Sequence, residues 1–159
     1  MEGEAFHWFE NCRIYGTVDY VFGGARALFE NCRFISIKDK RGLGFVAAPC
    51  HSLRQELGYL FYKCSFVNGG ADENGVYLAR PWRDFGKCDF IDCTLESHVS
   101  PLLFDKWNDT YRDKTARFSF CGLSGGDITP VSWAKELTPE RASEIINSFT
   151  VLKNKYFDD

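Results

Sequence analysis

The chain has 159 residues, 45% hydrophobic and 26% charged, which is the composition of one folded domain and not of a disordered segment. The formal net charge of −3 gives no basis for nucleic-acid binding, and no apolar run reaches the length of a membrane span. Residues 1–4 do not resemble a signal peptide, and the seven cysteines show no zinc-type spacing with the three histidines. Composition therefore predicts a single domain over residues 1–159, without a membrane, nucleic-acid or metal function.

A short sequence repeat predicts the architecture. Phe9–Ile14 returns twenty residues later as Phe29–Phe34, looser copies begin at Phe61 and Phe90, and a fainter fifth copy spans Phe118–Leu123. Each copy alternates apolar and polar residues, as a strand does. Units of this length bury their apolar faces only by stacking on one another, so the repeat predicts a parallel β-solenoid over about residues 5–125.

The cysteines of these copies step by 20, 32, 29 and 28 residues, so their place in the coil is kept while the connecting loops vary. Equivalent positions of neighbouring coils lie about 4.8 Å apart. We therefore expect an interior ladder of small, reduced thiols. Its members would be Cys12, Cys32, Cys64, Cys93 and, from the fifth copy, Cys121.

The stretch Gly16–Gly23 (Gly-Thr-Val-Asp-Tyr-Val-Phe-Gly) places a single carboxylate, Asp19, in a predicted strand with a glycine at each end. A carboxylate fixed on a rigid strand is a candidate nucleophile or base. Taken alone, the octet favours the simpler interpretation, an Asp turned to solvent on an alternating strand.

Further along the chain, Gly42–Ala48 is a predicted strand and Asn68–Gly75 a predicted loop. This loop leads into Val76–Trp82, which offers the Arg80 guanidinium beside a rigid proline and the indole of Trp82. An arginine next to Asp19 would keep the carboxylate ionised and oriented. A tryptophan can stack on the apolar face of a sugar.

The Asp19 and Arg80 segments together resemble the two signature motifs of pectin methylesterases (pectinesterases), with Ala79 where the family usually has glycine. The resemblance implies a right-handed, single-stranded parallel β-helix of the pectin lyase-like type, in agreement with the repeat. It also implies demethylation of methyl-esterified galacturonate units in pectin (homogalacturonan), with release of methanol and without a metal or organic cofactor. The parent family would act as secreted or cell-envelope enzymes.

The resemblance assigns roles by position. Asp19 would be the nucleophile and Arg80 its partner. Trp107, in a Trp-Asn pair that also resembles the family, fits a sugar contact and a surface residue capping the sheet equally well. The expected substrate-binding side chains are Val18, Phe22, Tyr77, Trp82 and Trp107.

The family's general acid is a second Asp, in a Gln-Asp-Thr segment about one coil before the nucleophile. Residues 1–18 contain neither Asp nor Gln, and Gln55 is distant in sequence. The resemblance thus predicts the C-terminal portion of a pectinesterase, without its general acid and oxyanion-stabilising glutamines and catalytically incomplete. An uncovered end of the solenoid would also favour marginal stability or self-association.

Two other functions are alternatives to an esterase fragment. A non-catalytic galacturonan-binding solenoid would keep the aromatic cleft without the chemistry. A polysaccharide lyase would need a cluster of acidic residues for calcium, and none accompanies Asp19.

Two features nearer the C-terminus complete the prediction. Gly122–Gly126 matches the Gly-x-Ser-x-Gly nucleophile elbow, but all three histidines precede Ser124 and no helix is expected after it, which excludes a serine hydrolase. A loop followed by a helix is expected over about residues 126–152, with Thr138 as the N-terminal cap of the helix. The apolar stripe of this helix comprises Ala142, Ile145, Ile146 and Phe149.

Overall fold

A computed structural model describes residues 5–157. The strands are short and follow one another with one long helix at the end, α1 (Pro139–Phe157), and a single turn of 3-10 helix at Arg112–Lys114. In chain order the strands are β1 Phe6–Glu10, β2 Arg13–Gly16, β3 Val18–Gly23, β4 Arg26–Glu30, β5 Arg33–Ser36, β6 Gly44–Pro49, β7 Tyr59–Tyr62, β8 Ser65–Asn68, β9 Val76–Ala79, β10 Lys87–Ile91, β11 Thr94–Leu95, β12 Arg117–Cys121 and β13 Lys135–Glu136.

The strands form three sheets in which neighbours run parallel. The first sheet has the order β1-β4-β7-β10-β12-β13, the second β11-β8-β5-β2 and the third β3-β6-β9. Each of the first three coils gives one strand to each sheet, so the chain winds as a parallel β-helix. The predicted fold is therefore confirmed.

The repeated phenylalanines form a stack through the interior. Phe9, Phe29, Phe61 and Phe90 have ring centroids 4.8, 4.9 and 4.5 Å apart in sequence order, with ring planes within 10° of parallel. These spacings match the separation of hydrogen-bonded strands. Phenylalanine recurs at this position of the sequence repeat because each ring packs directly on the ring of the preceding coil.

The thiols of Cys32, Cys64 and Cys93 also stack inside the solenoid, and each donates to a carbonyl oxygen of the preceding coil at 3.3–3.4 Å. A hydrogen bond from the Cys32 thiol towards Cys64, together with burial, raises the pKa of Cys32 well above its usual value, so this thiol is neutral and unreactive. The interior ladder is confirmed for these residues and for Cys12, which lies above Cys32 at the half-buried end.

The prediction that Cys121 is the fifth member of the ladder was wrong. The register pairs Phe90 with Phe120 and Ile91 with Cys121, so the fifth copy is displaced by two residues. Cys121 consequently lies on the outer face of the first sheet, against the cluster under the helix. Leu123 takes the ladder position instead.

The residue before each ladder position adopts a left-handed backbone. Asn11, Asn31, Lys63 and Asp92 have φ between 52° and 55°, and Gly122, with φ of 64°, takes the same place in the fifth coil. This conformation turns the chain sharply from the first sheet into the second. Asn, Asp and Gly are the residues that adopt it most readily.

Helix α1 covers the outer face of the first sheet. Its cap is the predicted one, because Thr138 Oγ1 accepts a hydrogen bond from the Arg141 backbone N–H at 3.2 Å. The helix continues to Phe157, beyond the expected end near residue 152. Its buried residues, Ala142, Ile145 and Phe149, pack on Leu28, Leu60 and Ile91. Within residues 5–157, no helix is long and apolar enough to cross a bilayer.

Candidate active site

Asp19 lies at an irregularity of the third sheet. Val18 pairs with Phe45 but Val21 pairs with Ala47, so β3 carries one extra residue at a bulge. Asp19 has φ of 51°, a conformation that non-glycine residues rarely adopt in a strand. Such strained positions cluster at functional sites, where the surrounding structure holds them.

Gly16 makes room for this bulge. A Cβ atom at Gly16 would lie 2.1 Å from the ring carbon Cγ of Tyr20, which is closer than atoms can approach. Tyr20 turns inward, with its hydroxyl 3.4 Å from Ser36 Oγ. Burial raises the pKa of Tyr20 to about 12, so the phenol is a structural group and not a titrating one near neutral pH. Asp19 can turn outward because Tyr20 fills the interior.

Arg80 immediately follows β9, two coils after the coil that carries Asp19, and its side chain contacts Asp19. Its Nε donates to Asp19 Oδ1 at 2.9 Å and its Nη2 to Asp19 Oδ2 at 2.6 Å. The two side chains are only 16% and 22% exposed. This paired geometry fixes the plane of the carboxylate as well as its position. The expected Asp–Arg pair is therefore formed.

Two aromatic rings enclose the Arg80 guanidinium. Its central carbon lies 3.8 Å from the centre of the Phe45 ring and 4.0 Å from that of Trp107. Phe45 in turn stacks on Tyr77, with ring centroids 5.5 Å apart. Trp107 and Tyr77 thus hold the arginine in place, one directly and the other through Phe45. Trp107 is only partly exposed.

The exposed edge of the site is aromatic. Phe22 is 67% exposed, and its ring meets Trp82 edge-on with centroids 5.9 Å apart. The central guanidinium carbon of Arg83 lies 5.1 Å from the centre of the Trp82 ring. Val18 is half-buried beside Asp19, in register with Phe45. The structure therefore places Phe22 and Trp82 in contact with each other. Val18 and Tyr77 are in register with Phe45 on either side, and Phe45 contacts Arg80.

Sequence reasoning did not identify Phe45 and Arg112 as site residues. Phe45 occupies the coil position of Val18 one turn later, a relation that alignment of successive coils could have revealed. Arg112 lies 5.8 Å from the Trp107 ring and donates to the Pro81 carbonyl oxygen at 3.1 Å. No repeat or motif marked it. Ala79, the departure from the family motif, is fully buried in the interior cluster, so its methyl group is accommodated.

Both polar groups of the Gln55 side chain are engaged in hydrogen bonds with backbone groups. Its Nε2 donates to the Gly24 carbonyl oxygen at 2.6 Å, and its Oε1 accepts from the Ser52 N–H at 2.8 Å. Ser124 lies in a loop that continues to Gly125 and Gly126, and not before a helix, as the exclusion of a serine hydrolase requires. Within residues 5–157, no group of three or more His, Cys, Asp or Glu side chains could hold a metal ion.

His51 has a structural role. Its Nε2 lies 2.9 Å from the Ala25 carbonyl oxygen, and its Nδ1 accepts from the Lys87 N–H at 3.1 Å. Since Nδ1 accepts, Nε2 carries the proton. Burial lowers the pKa of His51 to about 4, so the ring is neutral near neutral pH.

Similarity to known proteins points to one family. Residues 4–155 match the Pectinesterase family. "Probable pectinesterase 8" of Arabidopsis thaliana is 29% identical over 152 residues, which cover 89% of this chain and 38% of that protein. The pectin methylesterase from carrot has the same fold, with a TM-score of 0.80 and 20% identity, over 97% of this chain and 54% of that one.

A pectin methylesterase solved in complex with a hexasaccharide also shares the fold, with a TM-score of 0.73 and 22% identity, over 87% of this chain and 49% of that one. The chain therefore spans about half of these solved structures, and less of the curated relative. Because the family match covers nearly the whole chain, and includes the Asp19 and Arg80 segments, the chain belongs to the pectinesterase family.

Proposed function

We propose that this chain forms the nucleophile-bearing part of a pectinesterase site, which acts on methyl-esterified galacturonate units of pectin. The observation that carries the proposal is the position of the Asp19 carboxylate. It accepts a bidentate pair of hydrogen bonds from Arg80, next to the exposed edge formed by Phe22 and Trp82. The fold-level similarity to a hexasaccharide complex supports an oligosaccharide ligand for this site.

Asp19 is the nucleophile in this proposal. One carboxylate oxygen attacks the C6 carbonyl carbon of a methyl-esterified galacturonate, and the tetrahedral intermediate expels methanol once its methoxy oxygen has taken a proton. The resulting mixed anhydride is hydrolysed by water, which leaves the free galacturonate carboxyl and regenerates Asp19. Each oxygen keeps a lone pair available although both accept from Arg80. Arg80 orients the carboxylate throughout.

The methoxy oxygen needs a proton donor, and the tetrahedral oxyanion needs hydrogen-bond donors. The family takes these from its Gln-Asp-Thr segment and from glutamines, which residues 1–18 do not contain. Gln55 is engaged by Gly24 and Ser52. We therefore propose that the isolated chain is catalytically incomplete. Absence of one oxyanion donor alone typically lowers kcat by about 10²–10³.

The second candidate is a non-catalytic galacturonan-binding solenoid. The engaged Gln55 amide favours it, because the chain then keeps the aromatic edge without a complete set of catalytic groups. Both candidates place the ligand beside Asp19 and the Phe22–Trp82 edge, and pectin lies in cell walls, so both imply action outside the cell. They differ in whether Asp19 reacts.

Binding of a methyl-esterified oligogalacturonide tests the substrate class. Titration calorimetry should show saturable binding that Trp82→Ala weakens by about tenfold, or 1.4 kcal/mol. Asp19→Asn should keep most of the affinity, because it removes the charge but not the shape. Tyr15, 59% exposed on the second sheet, supplies a matched aromatic control in Tyr15→Ala. Equal affinity in wild type and Trp82→Ala, or no binding at all, would contradict the proposal.

A further inference from the structure

Arg112 contacts both parts of the site that carry a tryptophan. Its Nη1 donates to the Pro81 carbonyl oxygen at 3.1 Å, directly before Trp82, and its central guanidinium carbon lies 5.8 Å from the centre of the Trp107 ring. Its Nε lies 3.7 Å from Asp84 Oδ1, but the Asp84 side chain is 64% exposed, so water competes for that pair. The Arg112 side chain itself is only 20% exposed. Its sheltered contacts are therefore those with the Trp82 segment and with the Trp107 ring.

Arg112 holds one side of the peptide group that joins Pro81 to Trp82. The carbonyl oxygen of this group accepts from Arg112 Nη1, and its N–H donates to the Pro49 carbonyl oxygen at 3.0 Å. Pro81 is buried, and no second donor to its carbonyl oxygen is found among residues 5–157. Loss of Arg112 would leave this buried oxygen without a partner, which favours a shift of the peptide group. Because the peptide plane sets the direction of the Trp82 side chain, Arg112 helps to fix this ring against Phe22.

The Trp107 ring is carried by a backbone that its surroundings must hold in place. Trp107 and Asn108 have φ of 72° and 56°, a left-handed conformation that such residues rarely adopt. The Trp107 N–H donates to Asp105 Oδ1 at 2.7 Å, and the ring lies 4.0 Å from the Arg80 guanidinium. Contacts between a cation and a ring extend to about 6 Å, and exclusion of water strengthens them. Arg112 therefore adds a second cation that holds the ring beside Arg80.

The turn that carries Arg112 is closed by backbone hydrogen bonds. The Arg112 carbonyl oxygen accepts from the N–H groups of Thr115 and Ala116 at 3.1 and 2.8 Å, just after the single turn of 3-10 helix. Ala116 leads directly into β12, which pairs with β10 in the first sheet. The arginine thus extends from a segment that the solenoid itself fixes.

We propose that Arg112 is a positioning residue, which sets the place of the exposed aromatic edge relative to the nucleophile. The side chains that it links form a continuous line of contacts, which runs through Asp19, Arg80, Trp107, Arg112 and Trp82. A ligand that lies on the Trp82 ring must present its ester to Asp19 at the same time, so a small displacement of one relative to the other lowers productive binding. This inference rests on the proposed function for the ligand, and on the contacts alone for the coupling.

The first test needs no ligand. In proton–nitrogen NMR spectra of the full chain, the indole N–H groups of the four tryptophans give separate signals, which single Trp→Phe variants assign. Arg112→Gln should shift the signals of both Trp82 and Trp107 and leave those of the other two tryptophans in place. Asp84→Asn removes only the exposed ion partner of Arg112 and is the matched control, so it should shift both signals far less. Circular dichroism equal to that of wild type shows that both variants are folded. A shift at only one of the two rings, or at neither, would overturn the coupling.

The second test measures the coupling through a ligand. In titration calorimetry with a methyl-esterified oligogalacturonide, Arg112→Gln should bind about tenfold more weakly than wild type, and Asp84→Asn should bind as wild type does. In a Trp82→Ala background the same Arg112→Gln change should cost about twofold or less, because the ring that Arg112 positions is absent. A merely structural role would weaken binding by the same factor in both backgrounds, and that additive result would overturn the proposal. If wild type does not bind the oligogalacturonide, the proposed function fails, and the indole spectra still decide whether Arg112 positions the two rings.

Discussion

Replacement of Arg80 by lysine tests how the nucleophile is held. Lysine keeps the positive charge but loses the planar group that donates to both Asp19 oxygens, at 2.9 and 2.6 Å. One hydrogen bond to a charged group is worth about 1.5–3 kcal/mol. Lysine also gives up part of the contact with the Phe45 and Trp107 rings, at 3.8 and 4.0 Å, where a desolvated cation gains about 1–2 kcal/mol. Arg80→Lys should therefore lower the free energy of unfolding by about 2–4 kcal/mol.

Arg41 provides the matched control. It makes the same two-pronged contact with Asp39, with Nε 2.7 Å from Oδ1 and Nη2 3.2 Å from Oδ2, but it is 72% exposed. Water competes for this pair, so Arg41→Lys should change stability far less. Equilibrium urea unfolding, followed by tryptophan fluorescence and circular dichroism, measures both variants. The reasoning fails if Arg80→Lys is no more destabilising than Arg41→Lys.

Three further predictions follow from the fold. Phe61→Ala should lower the free energy of unfolding by about 3–5 kcal/mol in urea denaturation, because Phe61 is fully buried between Phe29 and Phe90; a loss no larger than that of the exposed-site variant Phe22→Ala would count against the aromatic stack. Lowering the His51 pKa from 6.5 to about 4 makes its protonation about 3 kcal/mol less favourable in the folded state, so this contribution is fully present above pH 6.5 and is lost as the pH falls towards 4. His51→Gln should flatten the pH dependence of the unfolding free energy in that window, and an unchanged slope would refute the role given to burial. Within residues 5–157, one end of the solenoid is formed by the outermost strands of the three sheets, β1, β2 and β3, beside an apolar pocket of about 500 Å³ lined in part by Phe9 and Ile14. We propose that copies of the chain associate through this end. Light scattering should then show a mass that rises with concentration, and a constant monomer mass would exclude this association.

The sequence predicted most of the solenoid because its packing repeats. Phe29 and Phe61 each sit on the same residue type one coil earlier, so a single structural requirement appears several times in the chain. The fifth copy misled because Phe118 and Phe120 both fit the pattern by residue type. Only strand pairing, which matches Phe90 with Phe120, decides between them.

The site was predicted less completely than the fold. Asp19 and Arg80 were found through the resemblance to a family, whereas the bulge at Asp19 was not. A left-handed Asp inside a strand contradicts local preference, and depends on Tyr20 filling the interior. Phe45 was missed because its contact with Arg80 crosses between coils.

Methanol release from highly methylated pectin tests the central claim, that Asp19 is the nucleophile of a site this chain carries only in part. At high protein concentration and long incubation, we expect wild-type release at least about 10²–10³-fold below that of a complete pectinesterase. Asp19→Ala should abolish whatever release remains. Release that persists in Asp19→Ala would show that another group attacks the ester. Wild-type release at the rate of a complete pectinesterase would show that the chain already holds its proton and oxyanion donors.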